Sequence, residues 1–280
     1  MRFAVAPPHD VFLVGDDVAP DCDLVVAFGD ATPMAGPARF SAGGQWELRT
    51  HEGGGDEICF FGRIDGPESE PITRLRLDRA LRSGTVSTRL RAGDGDTFVI
   101  GYPLDEYVAG RLLGRAGGVV LHATAILDGD EAIVFAGHSG AGKSTIAKIA
   151  EDCGGRVLSD DRTIIRVDDA GRARAYGTPW HGSLKRGDPS GAEVRAVYLL
   201  SQARYDAVEE LSSAAALAEI YVRLIQPSVD STEAANAIDT VGRLVSRTRI
   251  ARLHFRPTAS AYEVARSDRG VPVAARDGTA

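Results

Sequence analysis

The sequence predicts an α/β protein of the α+β, mixed-sheet kind, with a β-rich region ahead of its core. Three observations carry that prediction. EAIVFAG (Glu131 to Gly137) reads as a buried strand and KSTIAKIAEDC (Lys143 to Cys153) as a helix, with Ile146, Ile149 and Ala150 on one face. After this unit comes a run of strands, RVLSDD, TIIRVDD and RARAYG, where a doubly wound fold would alternate strand with helix. Before position 103, short alternating segments are separated by Gly- and Asp-rich turns.

The expected strands of region 1–103 are Val11–Val14, Leu24–Phe28, Gln45–Thr50, Glu57–Gly62, Thr73–Asp78, Thr85–Arg91 and Thr97–Gly101. TRLRLD and TVSTRLR alternate as half-buried antiparallel strands do, and GGGD and AGDGD supply turns. No catalytic cluster stands out, so this region reads as a scaffold or docking sheet. Region 104–266 is the expected catalytic domain. Pro103 opens a helix with Leu104, Val108, Leu112 and Leu113 at helical spacing. GVVLHATAILDG follows as a long strand, turned back at Asp128, Gly129 and Asp130. VRAVYLLS (Val194 to Ser201) is a strand, Ser212 to about Leu224 and Ser231 to about Val245 are helices, and RIARLHF closes the core. Residues 267–280 read as a flexible tail.

GHSGAGKST fits the phosphate-binding pattern G-x-x-x-x-G-K-[ST]. Glycines let the backbone turn so that N–H groups face a phosphate chain, and the following helix offers its positive end. The nucleotide-binding set is therefore Gly137, His138, Ser139, Gly140, Ala141, Gly142, Lys143, Ser144 and Thr145. Lys143 would reach the β- and γ-phosphates, and the Ser144 hydroxyl would bind Mg²⁺. Seventeen residues after Lys143, an apolar strand ends in Asp160 and Asp161. Beside a triphosphate, one carboxylate can bind Mg²⁺ while the other takes the proton of an attacking hydroxyl. Away from one, the doublet is a solvated surface turn.

The GxSGxGK[ST] loop closely followed by a strand ending in Asp-Asp resembles the HPr kinase/phosphorylase catalytic domain and ATP-dependent phosphoenolpyruvate carboxykinase. From Gly101 to Phe255 the chain is most similar to HPr-kinase-like proteins found beside peptide-modification genes, some of which phosphorylate lasso-peptide precursors. The resemblance implies a carboxykinase-type phosphate-loop fold, ATP and Mg²⁺ as cofactors, and a cytoplasmic kinase. Its acceptor would be a hydroxyl, a Ser of a peptide (a ribosomally made lasso precursor) or of a protein. By position it implies Asp160 as proton acceptor, Asp161 and Ser144 on the metal side, and His122 as an active-site histidine. It also implies a homo-oligomer. Two family features are missing: the Glu after Lys-Ser, and the loop that contacts HPr. Two alternatives stay open: a small-metabolite kinase of the same fold, and a nucleotide-dependent peptide-binding module that transfers nothing.

Other residues support two readings each. His122 is a core histidine or an active-site group. In GTPWHG, Trp180 and His181 are a wall for acceptor or nucleotide, or the anchor of a rigid turn. Lys185 and Arg186 neutralise phosphoryl charge or lie solvated. Of Arg243, Arg247, Arg249, Arg252 and Arg256, the last, before Pro257, is the best placed to approach a phosphate or peptide carboxylate. A net charge of −7 excludes a basic nucleic-acid footprint. Three separated cysteines, Cys22, Cys59 and Cys153, suggest neither a disulfide framework nor a zinc site. With no signal peptide at MRFAVAPPHD and no apolar run of membrane length, the expectation is a cytoplasmic protein without membrane contact.

Overall fold

The computed structural model describes residues 8–15, 17–61, 70–90, 99–225 and 231–272. It is a mixed α/β protein rich in strands. Contacts divide it into two compact units, one spanning Val14–Leu112 and the other running from Leu113 onward together with the segment ending at Leu13. Among the described residues no helix is long and apolar enough to cross a membrane.

The first unit is a six-stranded sheet. Its strands β1 (Asp23–Phe28), β2 (Phe40–Ala42), β3 (Trp46–Thr50), β4 (Asp56–Phe60), β5 (Thr73–Leu77) and β6 (Ser83–Thr88) lie in the order β1-β6-β5-β4-β3-β2. The β1–β6 pair is parallel and the rest are antiparallel. Leu48, Ile58, Leu75, Leu77 and Val86 are buried, which is the alternation the sequence shows. A buried ion pair adds polarity to this apolar setting: Arg111 of helix α1 (Leu104–Arg115) bonds Asp56, whose carboxylate also accepts from the Tyr107 hydroxyl at 2.8 Å.

The second unit holds a five-strand barrel. β7 (Gly118–Asp128), β8 (Glu131–Ala136), β10 (Arg162–Val167), β11 (Ala173–Tyr176) and β12 (Gly191–Gln202) close a ring, β7-β8-β12-β11-β10 and back to β7. β14 (Arg249–Phe255) continues the sheet from β12 in parallel, and β13 (Ala207–Glu210) follows at its edge. β9 (Arg156–Ser159) pairs with β7. Val119, Leu121, Ala123, Val134, Ile165, Ala175 and Val197 belong to one core cluster with residues of α3 (Ser213–Tyr221) and α4 (Ser231–Arg247). A second cluster joins Phe135, Tyr198, Leu253 and Phe255 to α2 (Lys143–Asp152) and α5 (Ala259–Ser267).

Several expectations need correction. Residues His9–Phe12 form a 3-10 turn, not a strand, and Val11 and Leu13 are exposed. Val99–Gly101 are turn rather than strand, while Thr97, Phe98 and the AGDGD turn lie outside the described residues. The tail begins later than expected. Helix α5 runs through Ser267, and Asp268 beyond it accepts from the Tyr198 hydroxyl at 2.8 Å and Arg249 Nε at 3.0 Å. The rest of the tail, 273–280, lies outside the described residues.

Candidate active site

The phosphate-loop pattern sits where its chemistry needs it, between buried strand β8 and helix α2. Gly140 (φ +80°) and Gly142 (φ +103°) occupy left-handed backbone that a side chain disfavours. Gly142 is also the N-cap of α2, with no side chain bonding the first-turn N–H groups. Those orphan donors are what an anion at a helix start would use. The loop is braced from the end of β12, where Gln202 Nε2 donates to the Gly140 carbonyl at 2.8 Å.

Lys143 is 7% exposed, and its three donors are committed. Nζ lies 3.1 Å from the Gly137 carbonyl, 3.2 Å from that of His138, and 2.8 Å from His122 Nε2. Burial lowers the Lys143 pKa below the usual lysine range, against the opposing pull of Asp161. His122 is thus not a packed core histidine. It stands midway along β7 with its ring between Lys143 and Asp161, whose Oδ1 is 3.1 Å from the same Nε2. With the proton on Nδ1, Nε2 accepts from the lysine; with the proton on Nε2, the ring donates to the aspartate.

The two adjacent carboxylates diverge. Asp161 Oδ1 faces His122 and lies 3.7 Å from Lys143 Nζ, while Oδ2 accepts from Arg162 at 2.6 Å. Burial by itself would raise the Asp161 pKa, but the His122 hydrogen bond and the charges of His122, Arg162 and Lys143 outweigh it and hold it below the carboxylate range. Asp160 points elsewhere. It is 2% exposed, and its oxygens accept from the Gly182 N–H at 2.7 Å and the Leu184 N–H at 2.9 Å. In this arrangement it closes the turn after GTPWHG and is not open to an acceptor hydroxyl. Of the two carboxylates expected beside one triphosphate, Asp161 is the member that reaches the lysine, while Asp160 is bonded to the 182–184 turn. Both lie in the bend between Ser159, the last residue of β9, and Arg162, the first of β10, where the chain reverses and the two side chains meet different surroundings.

The weaker candidates sort in the same way. Trp180 is buried, and His181 Nδ1 lies 2.8 Å from the Arg186 carbonyl, so both serve the turn. Arg186 pairs with Glu151 of α2 at 2.9 Å, and Lys185 is exposed on left-handed backbone. Arg256 is paired with Asp206 at 2.7 Å, which also accepts from Ser260, so its charge is largely offset although the side chain is half exposed. Arg249 pairs with Glu210 and Asp268, and Arg252 with Glu209 and Glu219. One group was missed by sequence reasoning: Arg162, opposite His122 in the β7–β10 register. Its signal was its place directly after the doublet, in SDDR.

Compared with protein-family models and with curated proteins, the chain matches none. The functional reading therefore rests on the geometry of the site and on the residues that resemble the HPr-kinase pattern.

The glycine cradle leaves no room for a Cβ at Gly142, where a methyl would stand 2.5 Å from the Phe255 ring. Among the described residues no cluster of three or more His, Cys, Asp or Glu could hold a metal alone.

Proposed function

We propose that the chain is an ATP- and Mg²⁺-dependent kinase of the HPr-kinase-like, carboxykinase-type fold, acting on a hydroxyl of a peptide or protein, a Ser side chain in particular. The observation that carries this reading is the grouping of Lys143, His122 and Asp161 beside the uncapped start of α2. A cation and a carboxylate next to a phosphate cradle are parts that phosphoryl transfer to an alcohol uses, and here the imidazole links the two.

ATP, when bound, supplies the γ-phosphoryl group, with Mg²⁺ offsetting its charge. The backbone of Gly137 to Thr145 would hold the phosphates, and the Ser144 hydroxyl would take the metal. Lys143 would exchange its loop carbonyls for phosphate oxygens. Asp161 would accept the proton of the attacking hydroxyl while His122 keeps the carboxylate aimed. The acceptor oxygen would form its bond to phosphorus as the bond to the β-phosphate oxygen breaks, and the hydroxyl proton would go to Asp161. Most of the acceleration then comes from positioning and charge stabilisation. Asp160 acts at one remove by holding the 182–184 turn.

The experiment is transfer from γ-labelled ATP to a panel of Ser-containing peptides and, in parallel, to small alcohols. Label on peptide serine is the expected result. ATP binding with no labelled product from any acceptor would overturn the assignment in favour of a binding module, and label on the alcohols alone would favour a metabolite kinase.

A further inference from the structure

A second concentration of positive charge lies along the barrel, away from the loop. β10 and β11 are antiparallel, and their register sets Arg166 directly opposite Arg174. Ile165, Val167, Ala173 and Ala175 point into the core, so the two arginines share the outer face. Like charges facing each other across a strand pair destabilise it. Relief from within the chain is slight. Arg166 is exposed and pairs with no carboxylate among the described residues. Arg174 lies over the Tyr176 ring, 5.7 Å from its centroid, and gives one donor to the Gly191 carbonyl, which fixes the guanidinium without neutralising it. Glu193 faces Arg174 in the register of β11 with β12 but forms no ion pair with it.

The hairpin turn adds further cations. Arg172 is held upright by Asp168 at 2.9 Å. Helix α4 brings Arg243, which donates to the Val167 carbonyl at 2.9 Å, and Arg247, which packs beside Gly171. Arg166, Arg172, Arg174 and Tyr176 line a cavity of about 420 Å³ together with two carboxylates, Asp168, which pairs with Arg172, and Glu193. That volume falls within the range of small-molecule sites. Guanidinium forks match phosphate and carboxylate oxygens two at a time, which a lysine cluster would not do.

We propose that this cavity is a second anion site, for a small molecule bearing two or more phosphate or carboxylate groups, with Arg166 and Arg174 as its paired anchors. The site shares no residue with the phosphate loop and stands whether or not the kinase reading does.

Calorimetric titration of the full chain with pyrophosphate tests it, because pyrophosphate fits both places. Wild type is expected to bind at two sites, and Lys143→Ala should keep the arginine site. Arg166→Gln/Arg174→Gln should weaken that site by about tenfold or more, as lost charge-assisted hydrogen bonds imply, while the Lys143-dependent site remains. Citrate titrated into the Lys143→Ala protein separates the two sources of negative charge: binding equal to that of pyrophosphate points to a polycarboxylate, and weaker binding to a phosphate compound. The double variant loses a repulsion and should melt no lower than wild type; if it does, Arg166→Gln alone provides the same comparison. Unchanged pyrophosphate binding in the arginine variant, or no binding of either anion to Lys143→Ala, overturns the proposal.

Discussion

Phe255 sets its ring against Gly142, so that a methyl group at Gly142 would come within 2.5 Å of the ring tip. The last residue of β14 therefore fixes how the loop enters α2, at a position whose φ of +103° already suits glycine alone. Gly142→Ala should lower stability by about 1–2 kcal/mol from the left-handed backbone alone, and more if the ring cannot move aside. It should also lose nucleotide affinity. Urea unfolding and equilibrium dialysis with ATP would show both effects. A folded variant with wild-type affinity would remove the cradle from the account.

The divergence of the carboxylates predicts different failures for their amides. Asp161→Asn should keep ATP binding and lose roughly 10²- to 10⁴-fold in transfer, the range of a positioned acid–base group. Asp160→Asn should instead lower the melting temperature. Its amide nitrogen cannot accept from Gly182 or Leu184, and a buried donor left facing a donor costs about 1–3 kcal/mol. If Asp160→Asn proves inactive yet as stable as wild type, the roles are the other way round.

Acid and alkali should act through different groups. Asp161 titrates below its ordinary 3.8 in the fold, and Asp206 is held at about 2, chiefly by the Arg256 hydrogen bond. Each contributes stability that is complete above the ordinary carboxylate value and is lost as pH falls through its own lowered value. Lys143 runs in the opposite sense. Its lowered pKa means that the folded chain releases that proton before the unfolded chain does, so its share of stability rises with pH up to 10.5. Urea midpoints measured across acid pH should fall less steeply in Asp161→Asn. Lys143→Met should flatten the alkaline rise.

Arg256 provides a check on charge read from sequence. Because Asp206 and Ser260 already occupy that corner, Arg256→Ala should leave ATP affinity and kcat/KM unchanged; it should lower stability at neutral pH and make the further loss in acid less steep, since the Asp206 pKa then returns toward its ordinary value. A raised KM for ATP would return Arg256 to the site.

Cys59 is fully buried, and burial, followed by the nearby Glu57 charge, pushes its thiol up to about 12. Iodoacetamide at mildly alkaline pH should modify Cys22 and Cys153 in the native protein and spare Cys59 until denaturant is added. Mass spectrometry of the peptides reads the result directly.

Much of the second unit was legible because its signals are local. The register of GHSGAGKST, the buried strand before it and the apolar face of α2 all follow from residues within a turn or two of each other. The elements that escaped are short or polar: β2 has three residues, and β13 reads AVEE. Helix α5 hides Tyr262 and Ala265 behind Ala and Ser, so its apolar stripe is thin. The larger omission, closure of β11 onto β12, is a pairing between segments with a loop between them that no periodicity reports. The split of Asp160 from Asp161 could not be read from strand alternation, because both lie in the bend between β9 and β10. The direction each would take depended on the 182–184 turn folding back over Asp160.

Closure of the ring has one further effect. β7 is gripped on both sides, by β8 and by β10, and the strands beyond those grip each other. A slip of one position would present Leu121 or Ala123 to the lysine instead of His122, and every seam around the circuit would have to slip with it. The imidazole's address is therefore written by five strands together, and a change as distant as the β11–β12 seam is enough to misplace it.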